Sequence, residues 1–188
     1  MNAQRLIIGI TGASGVVVGV RLLELLANSE IETHLVISKA AEMAFAYETD
    51  LQAKDVRALA RVNHATGAIG ASIASGSFPT MGMVVAPCSI RTMSEIATGV
   101  TTTLLSRAAD VVLKERRRLV LAIRETPLHL GHLRTLTALA EMGAVIAPLA
   151  PAFYPRPESV DGMVSHAAGR LLDLFGIETN AVRRWEGP

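Results

Sequence analysis

Along the chain, short runs of apolar residues alternate with longer stretches in which apolar positions recur every three to four residues. The runs Arg5–Ile10, Thr33–Ile37, Met81–Ala86, Leu119–Ile123 and Ala144–Ala147 read as strands. Between them, Ser14–Ala27 places Val17, Val20, Leu23 and Leu26 on one helical face. Further helical periods begin near Lys39, end near Arg116, and cover about Leu130–Met142 and Ser159–Leu174. Gly143 stands where a helix C-terminal cap belongs. Strand, helix, strand without hairpin turns requires right-handed crossovers and a parallel sheet covered on both faces. The expected fold class is therefore α/β, a three-layer doubly wound parallel sheet forming one domain over residues 1–188. The stretch Val62–Thr80, VNHATGAIGASIASGSFPT, breaks the pattern as a long loop rich in small residues. Loops of that length are functional or disordered more often than idle.

Composition changes one part of this picture. Half of the 188 residues are apolar and 19% are charged, with a mean hydropathy of +0.37. A membrane span needs about 18 unbroken apolar residues, whereas the best stretch, Ala144–Tyr154, is shorter and carries Pro148 and Pro151. No signal peptide is expected, because Arg5 and the strand after it lack a cleavage pattern. The outlet left for the apolar excess is another copy of the chain, so a homo-oligomer is expected. A net charge of +1 argues against a nucleic-acid surface, Lys114–Arg118 being the local exception. One cysteine, Cys88, excludes an intrachain disulfide and fits a reducing cytoplasm.

In open α/β sheets, ligands bind beyond the carboxyl ends of the strands. Here those ends carry Thr11, Gly12 and Ser14; Ser38 and Lys39; Cys88, Ser89 and Arg91; Arg124, Glu125 and Thr126; and, past two prolines, Tyr154 and Arg156. In GITGASG, Gly12 and Gly15 allow close backbone approach, and the following helix offers free N–H groups and a positive dipole end. The spacing is G-x-x-G-x-x-G rather than G-x-G-x-x-G, and no acidic residue closes the second strand, which favours a mononucleotide such as FMN over NAD. By itself the loop fits a ligand-free βα turn equally well. His129 and His132 stand three apart with no third ligand, so a solvated helix start is expected and no metal. Cys88 has no histidine placed beside it and reads as a small buried thiol. From composition alone, Glu48 is a surface carboxylate, LKERRR an exposed helix end, and Trp185 a docking anchor near the C-terminus.

The blocks GITGASG, SKAA with ETD, ASGSF, PCSIRT, RAADVVLKERR, RETPLHLGHL and PAFYPRP, in this order and down to RRW, closely resemble the UbiX-type flavin prenyltransferases. That family is also known as the small subunits of 3-octaprenyl-4-hydroxybenzoate or phenolic acid decarboxylases. The resemblance implies a flavodoxin-like, Rossmann-like flavoprotein, usually a dodecamer, with FMN bound near subunit junctions. It implies transfer of a dimethylallyl group from dimethylallyl phosphate to N5 and C6 of reduced FMN, without a metal. The product, prenylated FMN, serves a partner UbiD-type decarboxylase in ubiquinone biosynthesis or aromatic degradation.

By the same resemblance, Gly12, Ala13, Ser14, Ser38, Ser89, Ile90, Arg91, Thr92 and Arg124 contact FMN, and Arg107 and Glu125 support the site. Lys114, Tyr154 and Arg170 hold the donor phosphate, Glu48 handles protons, Ser14 lies near the reacting centre, and Trp185 is a nearby aromatic. The chemistry accords with these roles. A monophosphate carries about −1.5 to −2 charge at neutral pH, and expelling it as an allylic cation forms calls for fixed cationic donors. Flavin N5 must lose its proton, so a carboxylate or the departing phosphate must accept it. The chain departs from common family residues at Arg91, Pro155 and Val18, which bears on flavin-phosphate contacts and donor length. Two other functions share the fold, a flavin-dependent cysteine decarboxylase and a non-catalytic FMN carrier. The intact RETPLHLGHL and FYPRP blocks argue against the first, and a carrier has no use for Glu48, Lys114, Tyr154 and Arg170 together.

Overall fold

Every residue of β1 (Arg5–Ile10) after Arg5 is buried, and its side chains alternate between two cores. Leu6, Ile8 and Ile10 face one layer of helices and Ile7 faces the other, as a strand of period two between two apolar layers must. The computed structural model describes residues 4–185 and 187. The elements after β1 run α1 (Val16–Leu26), β2 (Glu32–Ile37), α2 (Lys39–Glu48), α3 (Ala53–Ala58), β3 (Val62–His64) and β4 (Gly82–Cys88). They continue with α4 (Ile90–Thr98), α5 (Leu104–Lys114), β5 (Arg118–Ile123), α6 (Leu130–Glu141), β6 (Val145–Ile146) and α7 (Val160–Asp173). The sheet is parallel throughout, in the order β3-β2-β1-β4-β5-β6. α1, α2, α3 and α7 contribute to the core on one face, and α4, α5 and α6 to the core on the other. The expected three-layer doubly wound sheet is the one observed.

Two features lay outside the pattern of apolar residues. The first is edge strand β3, which sits inside the stretch read as an irregular loop. It has three residues, none of them buried, so burial imposes no alternation on its sequence. Its attachment is polar instead: His64 Nε2 lies 2.9 Å from His34 Nδ1, and His34 Nε2 lies 2.7 Å from Glu32 Oε1. Burial, and secondarily His34, lowers the pKa of His64, which favours the neutral ring in that bond. The second is the break between α4 and α5. Gly99 ends α4 in the left-handed region at φ 70°, and Thr103 opens α5 with a reciprocal capping box to Ser106.

The strand order reverses between β1 and β4, so the helices that follow these two strands diverge to opposite faces and leave a crevice at their carboxyl ends. Thr11 joins the two strand ends there. Its backbone N–H and its hydroxyl both donate to the Pro87 carbonyl, at 3.2 and 2.7 Å, and its hydroxyl oxygen accepts the Ser89 N–H at 2.7 Å. Thr11 is 1% exposed, so water cannot replace a lost partner without rearrangement. Thr11→Val keeps the shape but strands the Ser89 N–H, and an unsatisfied buried donor costs about 1–3 kcal/mol. The midpoint of denaturant unfolding, at fixed protein concentration, is expected to fall accordingly. An unchanged midpoint would show that the stitch contributes nothing.

Candidate active site

Three helix N-termini meet at this crevice, each capped by a hydroxyl. Ser38 accepts the Ala41 N–H at the start of α2, Ser89 accepts the Thr92 N–H at the start of α4, and Thr103 accepts the Ser106 N–H at the start of α5. Each cap satisfies one N–H and leaves others aimed outward with the positive dipole end, the ordinary geometry of a phosphate site. All three caps line a cleft of about 320 Å³, together with Gly12, Lys39, Arg91 and Thr92. The Arg91 side chain is 81% exposed and donates to Glu95 Oε1 at 2.9 Å. Thr66, Thr102 and Thr103 also line the cleft without having been singled out from sequence. For Thr103, the cap position ahead of an apolar helical period was the available clue.

The β1–α1 loop is pressed against the start of α2. A Cβ on Gly12 would lie 2.3 Å from Ala40 Cβ, so only glycine admits this approach. Gly15 has φ 97°, a left-handed backbone, and as N-cap of α1 it has no side chain to cap with. Glu48, at the far end of α2, supplies the cap: its Oε2 accepts the Gly15 N–H at 2.8 Å and the Val16 N–H at 3.3 Å. A carboxylate at a helix N-terminus meets the positive dipole end, and this one stands one residue from Ser14. Ala13 donates its N–H to the Thr11 carbonyl within the same loop.

A second cavity, of about 290 Å³, lies under the segment that follows β6 and against α7. It is lined by Leu149, Tyr154, His166 and Arg170. A Cβ on Gly15 would come within 3.9 Å of Leu149 Cδ1, so the glycine loop that gives Gly12 to the first cavity packs beside a wall residue of the second. The Tyr154 hydroxyl lies 3.3 Å from His166 Nε2 and donates to the Arg183 carbonyl at 3.2 Å. The Trp185 ring meets Tyr154 edge-on at 5.8 Å. Arg170 shares the carboxylate of Asp173 with Arg184, which binds it through both of its terminal nitrogens. Arg184 foremost, and then Arg170, holds the Asp173 carboxyl below the usual carboxylate range despite its burial.

The remaining candidates are placed apart from these cavities within one chain. Ile90 opens α4 but does not line the cleft, and Arg107 pairs with Asp110 on α5. Arg124 and Glu125 follow β5, exposed, at the carboxyl edge of the sheet. Lys114 closes α5 at the opposite edge of the sheet, where its ammonium pairs with Glu115. At roughly 1.5 Å per residue, α5 carries it about 15 Å from Leu104. Cys88 is buried, which pushes its thiol up to about 12 and leaves it without nucleophilic character. His129 has a local task, accepting the His132 N–H at 3.3 Å as the cap of α6. His166, Arg183 and Arg184 were not anticipated, because a histidine within an amphipathic helix and arginines near a chain end carry no spacing signature.

The Flavoprotein family model matches residues 1–165. The flavin prenyltransferase UbiX of Escherichia coli is 56% identical, over 98% of this chain and 99% of its own. The crystal structure of AnUbiX in complex with FMN and dimethylallyl pyrophosphate superposes with a TM-score of 0.97 at 45% identity, covering 99% of both chains. A dodecameric FMN-dependent UbiX-like decarboxylase from Escherichia coli superposes with a TM-score of 0.96 at 49% identity, covering 98% of this chain and all of that one. The chain belongs to the UbiX family of flavin prenyltransferases.

Proposed function

We propose that this chain transfers the dimethylallyl group of dimethylallyl phosphate to N5 and C6 of reduced FMN, making prenylated FMN for a UbiD-type decarboxylase. The observation that carries the reading is the pair of cavities on either side of one glycine loop, one walled by three helix N-termini and the other by Tyr154 and Arg170. FMN fits the first: capped helix ends suit its phosphate, and the close packing of Gly12 on Ala40 holds the glycine loop against the start of α2 beside the cleft. When bound, the reduced flavin supplies the nucleophilic N5 and C6.

The chain's own residues then have separable tasks. Ser38, Ser89, Thr92 and Arg91 hold the flavin phosphate, with Gly12, Ala13, Ser14 and Ile90 along the flavin's approach and Arg124 in support. Tyr154 and Arg170 receive the donor phosphate, Arg170 as a fixed cation and Tyr154 as a directed donor. Glu48 accepts the N5 proton. Both of its bonds to the helix fall on Oε2, which leaves Oε1 for that task. Trp185, packed edge-on against Tyr154, is the aromatic beside the phosphate site.

Lys114 enters from a neighbouring subunit, since within its own chain α5 packs on the face of the sheet opposite α7, and Arg107 and Glu125 support the site. Exposed apolar residues support such assembly: Tyr47 is 83% exposed, Val160 76% and Phe153 71%. The expected oligomer is a dodecamer. A buried lone thiol supports a cytoplasmic reading. The direct test is anaerobic incubation with reduced FMN and dimethylallyl phosphate, followed by flavin mass analysis. A product heavier by one five-carbon unit is expected, and unchanged flavin would refute the assignment.

Glu48→Gln retains an oxygen that can cap α1, so FMN affinity should persist while prenyl transfer slows by roughly 10²–10⁴, the range for general acid–base groups. Unaltered turnover would assign Glu48 a structural task only. Arg170→Ala should raise the donor KM roughly ten- to a hundredfold, the worth of a charge-assisted contact, with FMN titration unaffected. The shared junction has its own test. Lys114→Ala and Arg170→Ala are each expected to be impaired, and their co-expression should restore activity at about a quarter of the junctions by random assortment. No recovery would show that the two side chains do not share a site across subunits.

A further inference from the structure

His166 lies on α7 one helical turn before Arg170, on the same face, and is 9% exposed. Its ring meets Tyr154 edge-on at 5.6 Å, and its Nε2 lies 3.3 Å from the Tyr154 hydroxyl oxygen. The arrangement of hydrogens follows from counting donors. Tyr154 has one hydroxyl hydrogen, and the Arg183 carbonyl, 3.2 Å away, can only accept it. Both contacts are satisfied at once only if His166 carries its proton on Nε2 and donates to the phenol oxygen. A phosphate arriving beside Arg170 can then take the hydroxyl hydrogen from the Arg183 carbonyl by rotation about one C–O bond, while His166 keeps hold of the oxygen.

Resting on the assignment of Tyr154 and Arg170 to the donor phosphate, we infer that His166 is a positioning residue that orients the Tyr154 hydroxyl toward that phosphate and couples anion binding to proton uptake. Among the described residues, the charges acting on the imidazole are Arg170 and Asp173 on its own helix and Arg184 on the C-terminal segment, and the phenol of Tyr154 meets it from the segment after β6. Burial first, then Arg170 and Arg184, lowers the His166 pKa, and Asp173 opposes them. A dianion docked on Arg170 offsets the positive field that keeps the ring neutral. The sign follows: the histidine pKa is higher in the bound state than in the free state, so binding takes up a proton between the two values and tightens as pH falls through that window.

Sulfate is the suitable probe, because it is tetrahedral and remains a dianion across pH 6–8 whereas phosphate itself titrates there. Calorimetry in two buffers of different ionisation enthalpy, on the assembled protein saturated with FMN so that the helix N-termini of the first cleft are occupied, reads the protons taken up per sulfate bound. Three variants make the result decisive. The wild type is expected to bind sulfate with proton uptake near pH 6, and Arg170→Ala to lose binding. His166→Gln keeps a donor near the Nε2 position and should bind at pH 8 like wild type, yet without uptake at pH 6. His166→Phe, which fills the space but offers no donor, should raise the donor KM about three- to tenfold with a smaller change in kcat, as expected for one hydrogen bond. Proton uptake that persists in His166→Gln, or native donor KM in His166→Phe, overturns the inference and leaves the phosphate site standing. Absence of sulfate binding in the wild type together with normal donor kinetics in Arg170→Ala overturns the phosphate site itself, and the inference with it.

Discussion

The join between β1 and β4 governs everything above it. Two strands whose following helices turn to opposite faces must be held edge to edge at the point of divergence, or the crevice between them has no fixed width. Thr11 does this with one side chain, fastening both the carbonyl of Pro87 and the N–H of Ser89. Ser89 is in turn the cap of α4. The position of a helix N-terminus that faces the cleft is thus set from the end of a different strand. Preorganised dipoles act on an anion without rearranging when it arrives, and this short chain of bonds is what keeps them fixed.

The two cavities divide the chemistry by type of donor. The cleft at the strand ends is rich in backbone N–H groups and hydroxyls, which suit the phosphate of a mononucleotide. The cavity against α7 relies on a guanidinium and a phenol, which suit a phosphate that arrives esterified and leaves free. Asp173 moderates the second site. By sharing its carboxylate between Arg170 and Arg184 it fixes the guanidinium of Arg170 without any contact to the reacting groups.

Much of this was legible in the sequence. Buried parallel strands are continuous apolar runs, so β1, β2, β4 and β5 declared themselves, and with them the strand ends beyond which Gly12, Ser38, Ser89 and Arg91 lie. β3 did not, because three unburied residues held by a histidine pair leave no periodic trace. That Lys114 lies on the opposite face of the sheet from Arg170 was equally hidden: a helix period gives the buried side of a helix but not the face of the sheet against which it packs. His166 was missed for a related reason. Its contact with Tyr154 joins a helix to an irregular segment, and irregular segments have no period from which to infer a partner.

Glu48 has one more consequence, for the order in which the molecule assembles. The cap of α1 comes from 33 residues downstream, so the first N–H groups of α1 find their protein partner only when α2 is docked. A helix start that depends on a distant partner belongs with the late, low-stability parts of a fold. The amides of Gly15 and Val16 are therefore internal reporters: undocking of α2 frees both from Glu48, so their exchange with solvent reads that docking as well as the integrity of α1.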